Sequence, residues 1–206
     1  MENRDFVLPL FSIPLGIYFN SNNNYNNAEL INYIKNSSNN YNVHNTNTER
    51  NDILDDNLCV NLRSYILSCL NRYATELMLY PSDILDITIS WGNLTKPGQS
   101  HHSHCHFNSI FSGVYYLNDC TEAPITFQNP NLSYKFISAG DENNTNHFTS
   151  MEWNVPMEKD SLVIFPSWLI HKVNINDSNR INISFNTWFK KGVTIGNDSA
   201  KTKLTF

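Results

Sequence analysis

The chain has 206 residues, with 14 Lys plus Arg against 19 Asp plus Glu and a formal charge of −5. That balance argues against nucleic acid or an anionic membrane as a partner, and an aromatic content of 13% excludes a disordered body. No apolar run approaches the roughly 18–20 residues a membrane-spanning helix needs, and Met1 to Asp5 is polar and acidic, with no signal-type apolar core ending in a small-residue cleavage site behind it. The expectation is a soluble, unexported, cytoplasmic protein. Cys59, Cys69, Cys105 and Cys120 form no CxxC and are expected to stay reduced. Charged residues make up only 16%, so much of the polarity falls to 33 asparagines.

Residues 6–20 are apolar but broken by Pro9 and Pro14, which confines them to an edge strand or an arm. Ala28 to Lys35 has helical spacing, and residues 36–51, rich in Asn, Ser and Thr, read as a loop. Leu58, Leu62, Ile66, Cys69, Leu70, Tyr73 and Leu77 lie on one face of a second helix, with Asp55 or Asp56 as its cap. After Pro81 the period changes. Ile84–Leu94 alternates, and short strand-like runs follow at 110–117, 124–127, 132–137, 151–155, 161–165, 171–175 and 180–189. About eight strands with turns every 8–12 residues or so indicate a sandwich or barrel. The class is mostly β (α+β): one domain with an N-terminal arm and supporting helices over 1–82, a β core over 83–190 and a tail over 191–206.

Four of the seven histidines fall in Ser100-His101-His102-Ser103-His104-Cys105-His106, and His171 ends an apolar run. On a strand His104 and His106 share a face, with His102 in line and Cys105 turned away. Two such imidazoles and a distant His can grip one metal ion; the plain alternative is a polar loop or surface patch. Nine residues after His171, Arg180 heads an alternating strand, with Asn182, Ser184, Asn186 and Trp188 on its side and Ile181, Ile183, Phe185 and Thr187 on the other. An inward Arg needs an anion such as a dicarboxylate; the alternative is an exposed strand-edge arginine. Trp91 and Trp168 read as packing residues, Phe127 and Phe165 as core, and Asn93 as a residue facing the pocket.

Taken together, HxH, Ser112-Gly113-Val114-Tyr115-Tyr116-Leu117-Asn118, Ile125-Thr126-Phe127, Phe165-Pro166-Ser167-Trp168-Leu169-Ile170-His171 and Arg180 resemble the iron(II)/2-oxoglutarate-dependent oxygenase superfamily. The likeness is to the prolyl-hydroxylase-like oxygenases common in marine phages and bacteria, and a phage origin would place the protein in host cytoplasm. The resemblance covers residues 85–190 and implies a double-stranded β-helix (jelly-roll, cupin-like). It implies Fe(II) held by His104, His106 and His171, and 2-oxoglutarate bound by Arg180, Tyr116 and Ser184. O₂ is the co-reactant, and an unidentified small-molecule or peptidyl substrate is hydroxylated. Three features depart from the family pattern: His106 stands where an acid is usual, Phe107 replaces a Pro, and Asn182 replaces a Ser. His102 with His104 repeats the HxH spacing, but Gly98 and Asn108-Ser109 match the family when the pair is His104 and His106. Asp119 and Glu122 are candidates for the missing carboxylate. The rival readings are a non-catalytic jelly-roll protein binding a metal or ligand, and a three-His cupin that does not use 2-oxoglutarate.

Overall fold

The computed structural model describes residues 11–21, 25–37, 39–41, 46–131, 145–196 and 202–203. Two antiparallel sheets pack face to face. The larger holds β1 (Gly16–Phe19), β2 (Asn39–Tyr41), β3 (Thr46–Thr48), β4 (Leu85–Thr95), β6 (Phe111–Tyr116), β9 (Ser161–Pro166) and β11 (Arg180–Phe189), in the order β1-β9-β6-β11-β4-β3-β2. The smaller holds β5 (His101–His104), β7 (Cys120–Gln128), β8 (Glu152–Met157) and β10 (His171–Val173), in the order β5-β10-β7-β8. From β4 to β11 the chain passes back and forth between the sheets, staying in one only at the β7–β8 hairpin. That winding is a double-stranded β-helix. A separate pair, β12 (Thr194–Ile195) and β13 (Thr202–Lys203), lies beyond it.

Two cores follow from the alternation of the strands. On the outer face of the large sheet, Tyr115, Leu117, Ile181, Ile183 and Phe185 pack against α1 (Asn27–Asn36) and α2 (Val60–Arg72). Leu30 and Ile34 of α1, and Leu62, Ile66, Cys69 and Leu70 of α2, are the buried positions, at the i, i+4, i+7 and i+8 spacing of one helix face. A π-helical turn at Tyr73–Leu77 continues α2, and the Tyr73 hydroxyl donates to the Pro14 carbonyl at 2.8 Å, tying the N-terminal arm to the helix. Between the sheets, Val114, Tyr116, Ile125, Phe127, Val155, Val163, Phe165 and Leu169 form the second core.

Several elements differ from the sequence reading. The expected loop at 36–51 contains β2 and β3, and Thr46 and Thr48 are buried. β3 pairs with β4 through backbone groups, Thr46 opposite Leu94 and Asn47 opposite Asn93, so it needs no hydrophobic period to form. The expected strand at 132–137 lies outside the described residues. Asp56, one of the two expected caps, accepts from the Leu58 N–H at 3.1 Å at the entry to α2.

Candidate metal centre

β10 runs antiparallel to β5 and sets His171 directly opposite His104. β5 ends at His104, so His106 comes from the segment just beyond the strand rather than from the strand itself. Its N–H donates to the Ser167 carbonyl at 2.9 Å, which fastens that segment to the turn before β10. The potential ligand atoms of His104, His106 and His171 all lie within 4.8 Å of one another. The ring centroids of His104 and His171 are 4.3 Å apart, and the His106 and His171 rings are stacked at 5.1 Å.

Each ring is fixed on its far side. Nδ1 of His171 lies 2.9 Å from the Leu169 carbonyl, and Nδ1 of His104 lies 2.8 Å from the His102 carbonyl. A carbonyl only accepts, so both Nδ1 atoms carry the proton and both Nε2 atoms keep a lone pair. The Asn186 side chain hydrogen-bonds the His106 ring. Burial, first of all, pulls His171 down to about 2 and His106 down to about 4, and it also lowers His104. The rings are therefore neutral at ordinary pH. Nε2 of His106 and Nε2 of His171 face each other at 3.3 Å. Neutral rings presenting lone pairs to one point are what a divalent cation requires, so the donor set fits a metal. Among the described residues the group contains no carboxylate. Asp119 instead accepts from the Lys159 N–H at 2.9 Å, and Glu122 is exposed.

The surroundings add a residue that the sequence reading placed elsewhere. Trp91, expected in the core, is half-buried and stacks on His106 at 5.7 Å and 25°, while its Nε1 donates to Asn93 Oδ1 at 3.1 Å. The indication was present in the alternation of β4, where Trp91 and the inward Asn93 share a face. Phe165 and Phe127 pack around the His171 ring at 4.8 and 5.9 Å, as core residues. Trp168, also expected to pack, is 55% exposed, because it sits in the turn between β9 and β10.

At the head of β11, Arg180 is only 3% exposed. Its Nη2 donates to the Tyr116 hydroxyl at 3.0 Å, and the guanidinium carbon lies 5.1 Å from the centre of that ring. Its Nε has no partner, and no carboxylate pairs with it among the described residues. Two strand positions on, Nδ2 of Asn182 is likewise buried without a partner. Burial raises the Tyr116 pKa, against the pull of Arg180, so the phenol keeps its proton while its oxygen accepts from the guanidinium. Ser184 makes no hydrogen bond to Arg180. Its hydroxyl accepts from Asn93 Nδ2 at 2.9 Å and donates to Asn182 Oδ1 at 3.4 Å. A buried, unneutralised guanidinium with a phenol beside it is a binding place for an anion.

Residues 89–186 match the family model described as "Putative 2OG-Fe(II) oxygenase". The match to this 2OG-Fe(II) oxygenase family spans just under half of the chain. The matched stretch of the oxygenase contains every site residue named above, and the family's chemistry uses Fe(II), 2-oxoglutarate and O₂. No match is found among curated proteins. Solved structures with the same fold include HygX from Streptomyces hygroscopicus with nickel, 2-oxoglutarate and hygromycin B bound (10% identity, TM-score 0.58, covering 85% of this chain and 82% of that one). A prolyl-4-hydroxylase from Pseudomonas putida is similar at 17% identity and TM-score 0.52, with 79% and 82% covered. A 2OG-Fe(II) oxygenase family oxidoreductase from Burkholderia pseudomallei is similar at 8% identity and TM-score 0.53, with 78% and 76% covered. Among the described residues of the oxygenase, no helix is long and apolar enough to cross a membrane.

Proposed function

We propose that His104, His106 and His171 hold Fe(II) through their Nε2 atoms, that Arg180 and Tyr116 anchor the far carboxylate of 2-oxoglutarate, and that the enzyme hydroxylates a small molecule or a peptidyl residue. The observation that carries this reading is Arg180: buried, without an acidic partner, and braced by a phenol. When bound, the metal and its co-substrates supply the oxidising power, with 2-oxoglutarate leaving as succinate and CO₂.

The chain's own residues bind and orient. The Leu169 and His102 carbonyls hold His171 and His104 in the tautomer that offers Nε2, and Asn186 steadies His106. The Arg180 fork and the Tyr116 proton suit a carboxylate, which only accepts. Asn182 Nδ2 supplies a further donor. Ser184, grouped with the cosubstrate residues from the sequence, acts through Asn93 and Asn182 by holding their amides in place. Phe127 and Phe165 keep water from the back of the metal site. The chain's net negative charge disfavours a nucleic-acid substrate.

Anaerobic titration of the Fe(II)-loaded protein with 2-oxoglutarate tests the reading. The expected result is the weak visible charge-transfer band of the chelate. Arg180→Leu is expected to keep iron binding and weaken 2-oxoglutarate by about 2–5 kcal/mol, with Arg180→Lys restoring part because it keeps the charge and loses the fork. Bound iron without the band in the wild type, or unchanged cosubstrate binding in Arg180→Leu, would overturn it.

A further inference from the structure

His101 belongs to the histidine-rich run but not to the three-ring group. On β5 it lies three residues before His104, and on a regular strand the two side chains would point to opposite faces. They do not, because β5 carries one residue more than its partner. His104 pairs with His171 and His101 pairs with Val173, so three steps on β5 answer two on β10. This is a β-bulge, a device that re-aims a side chain. It brings the His101 ring to 4.4 Å from the His104 ring. Val173, opposite His101, lies two residues from His171, shares its face and is buried. The His101–Val173 row therefore lies inside the barrel, next to the His104–His171 row.

Arg180 lies on the same side. Its guanidinium donates to Tyr116 of the core between the sheets, and its positive charge acts on the His101 ring. His101 is half-buried, and neither of its ring nitrogens has a hydrogen bond among the described residues. A neutral imidazole always carries one N–H. Here that donor stands beside the candidate metal ligands, with no acceptor of its own among the described residues.

We propose that His101 is a second protein contact to 2-oxoglutarate, donating its ring N–H to the cosubstrate between the Arg180 anchor and the three-histidine site. The inference rests on the roles assigned above to Arg180 and the three histidines. The chemistry is one-sided: a dicarboxylate only accepts, and His101 has a donor to give. The bulge thus places two different histidine functions on four residues of one strand, His104 toward the metal and His101 toward the cosubstrate.

The test uses the full chain loaded with Co(II), which binds such sites without turnover, and calorimetric titration first with the metal and then with 2-oxoglutarate. Wild type, His101→Phe, His101→Gln and Arg180→Leu are compared. His101→Phe should bind Co(II) within about twofold of wild type and 2-oxoglutarate roughly tenfold more weakly, the scale of one hydrogen bond to a charged group. His101→Gln keeps an N–H and should recover part of that loss. Should Phe not be accepted in the bulge, His101→Ala supplies the same comparison. If His101→Phe binds 2-oxoglutarate as wild type does while Arg180→Leu loses it, the inference fails and the proposed function stands. If His101→Phe loses Co(II) itself, His101 is a metal ligand and the inference fails. If Arg180→Leu and wild type bind 2-oxoglutarate equally, or neither binds it, the proposed function fails with it.

Discussion

Nε2 of His106 and Nε2 of His171 stand 3.3 Å apart although the residues are 65 positions apart in the chain. His171 gives its other ring nitrogen to the Leu169 carbonyl, and His106 is held by Asn186. Without a cation, the Nε2–H of His106 can donate to the lone pair that His171 Nε2 keeps. With one, the site is complete.

Metal binding should therefore stabilise the fold. Co(II) at about a hundred times its dissociation constant should raise unfolding free energy by about 2.7 kcal/mol, and a chelator should reverse it. His171→Ala should abolish the gain. Urea unfolding with and without Co(II) measures both.

Asn186 gives a subtler outcome. It hydrogen-bonds the His106 ring and accepts from the Ser112 hydroxyl at 2.8 Å, so it links a candidate ligand to the sheet. Asn186→Ala should leave three ligands present but one loose, and weaken Co(II) by roughly tenfold. Competition against a metal indicator reads this directly. Unchanged affinity would show that the other contacts of His106, among them stacking on Trp91 and the backbone bond to Ser167, hold it without Asn186.

Gly113 sits opposite Phe185 on β11. A Cβ there would come 2.3 Å from Phe185 Cζ and 3.0 Å from the Val163 carbonyl oxygen. Phe185 is fully buried and has little room to move. Gly113→Ala should cost about 1–3 kcal/mol, the range for overpacking, as measured by urea unfolding.

Asp56 carries a pH dependence. The Leu58 N–H first, and the Arg50 guanidinium second, hold its carboxyl below the usual value of 3.8. Because the folded value is the lower one, its stabilisation is complete above the unfolded value and is lost as pH falls through the folded one. Asp56→Ala should cost about 1 kcal/mol at neutral pH, as for a lost cap. That difference should vanish in acid, and unfolding curves at the two pH values would show it.

How much of this was legible in the sequence depended on whether the cause was local. The spacing of Leu62, Ile66, Cys69 and Leu70 is a helix face wherever the helix docks, and α2 follows it. The alternation from Arg180 to Phe185 places Asn182 and Ser184 opposite Ile181, Ile183 and Phe185 whatever the neighbouring strands are. β3 escaped notice because Thr46, Asn47 and Thr48 carry no apolar pattern; backbone pairing with the edge of β4 makes them a strand. Trp91 read as packing because an aromatic residue on a strand fits a core and a pocket wall equally well.

The sequence by itself determined which residues can do the chemistry: a run of histidines, a distant His171, and an Arg180 leading an inward polar file. Tertiary structure decided which of them meet. His104 joins His171 because β5 and β10 pair in one register, and His106 joins them from beyond the strand end. His101 turns inward because that same pairing leaves one residue over. The physical reason is that side-chain periodicity belongs to each strand, whereas register and bulges belong to the pair and are settled only when both sheets close around their core.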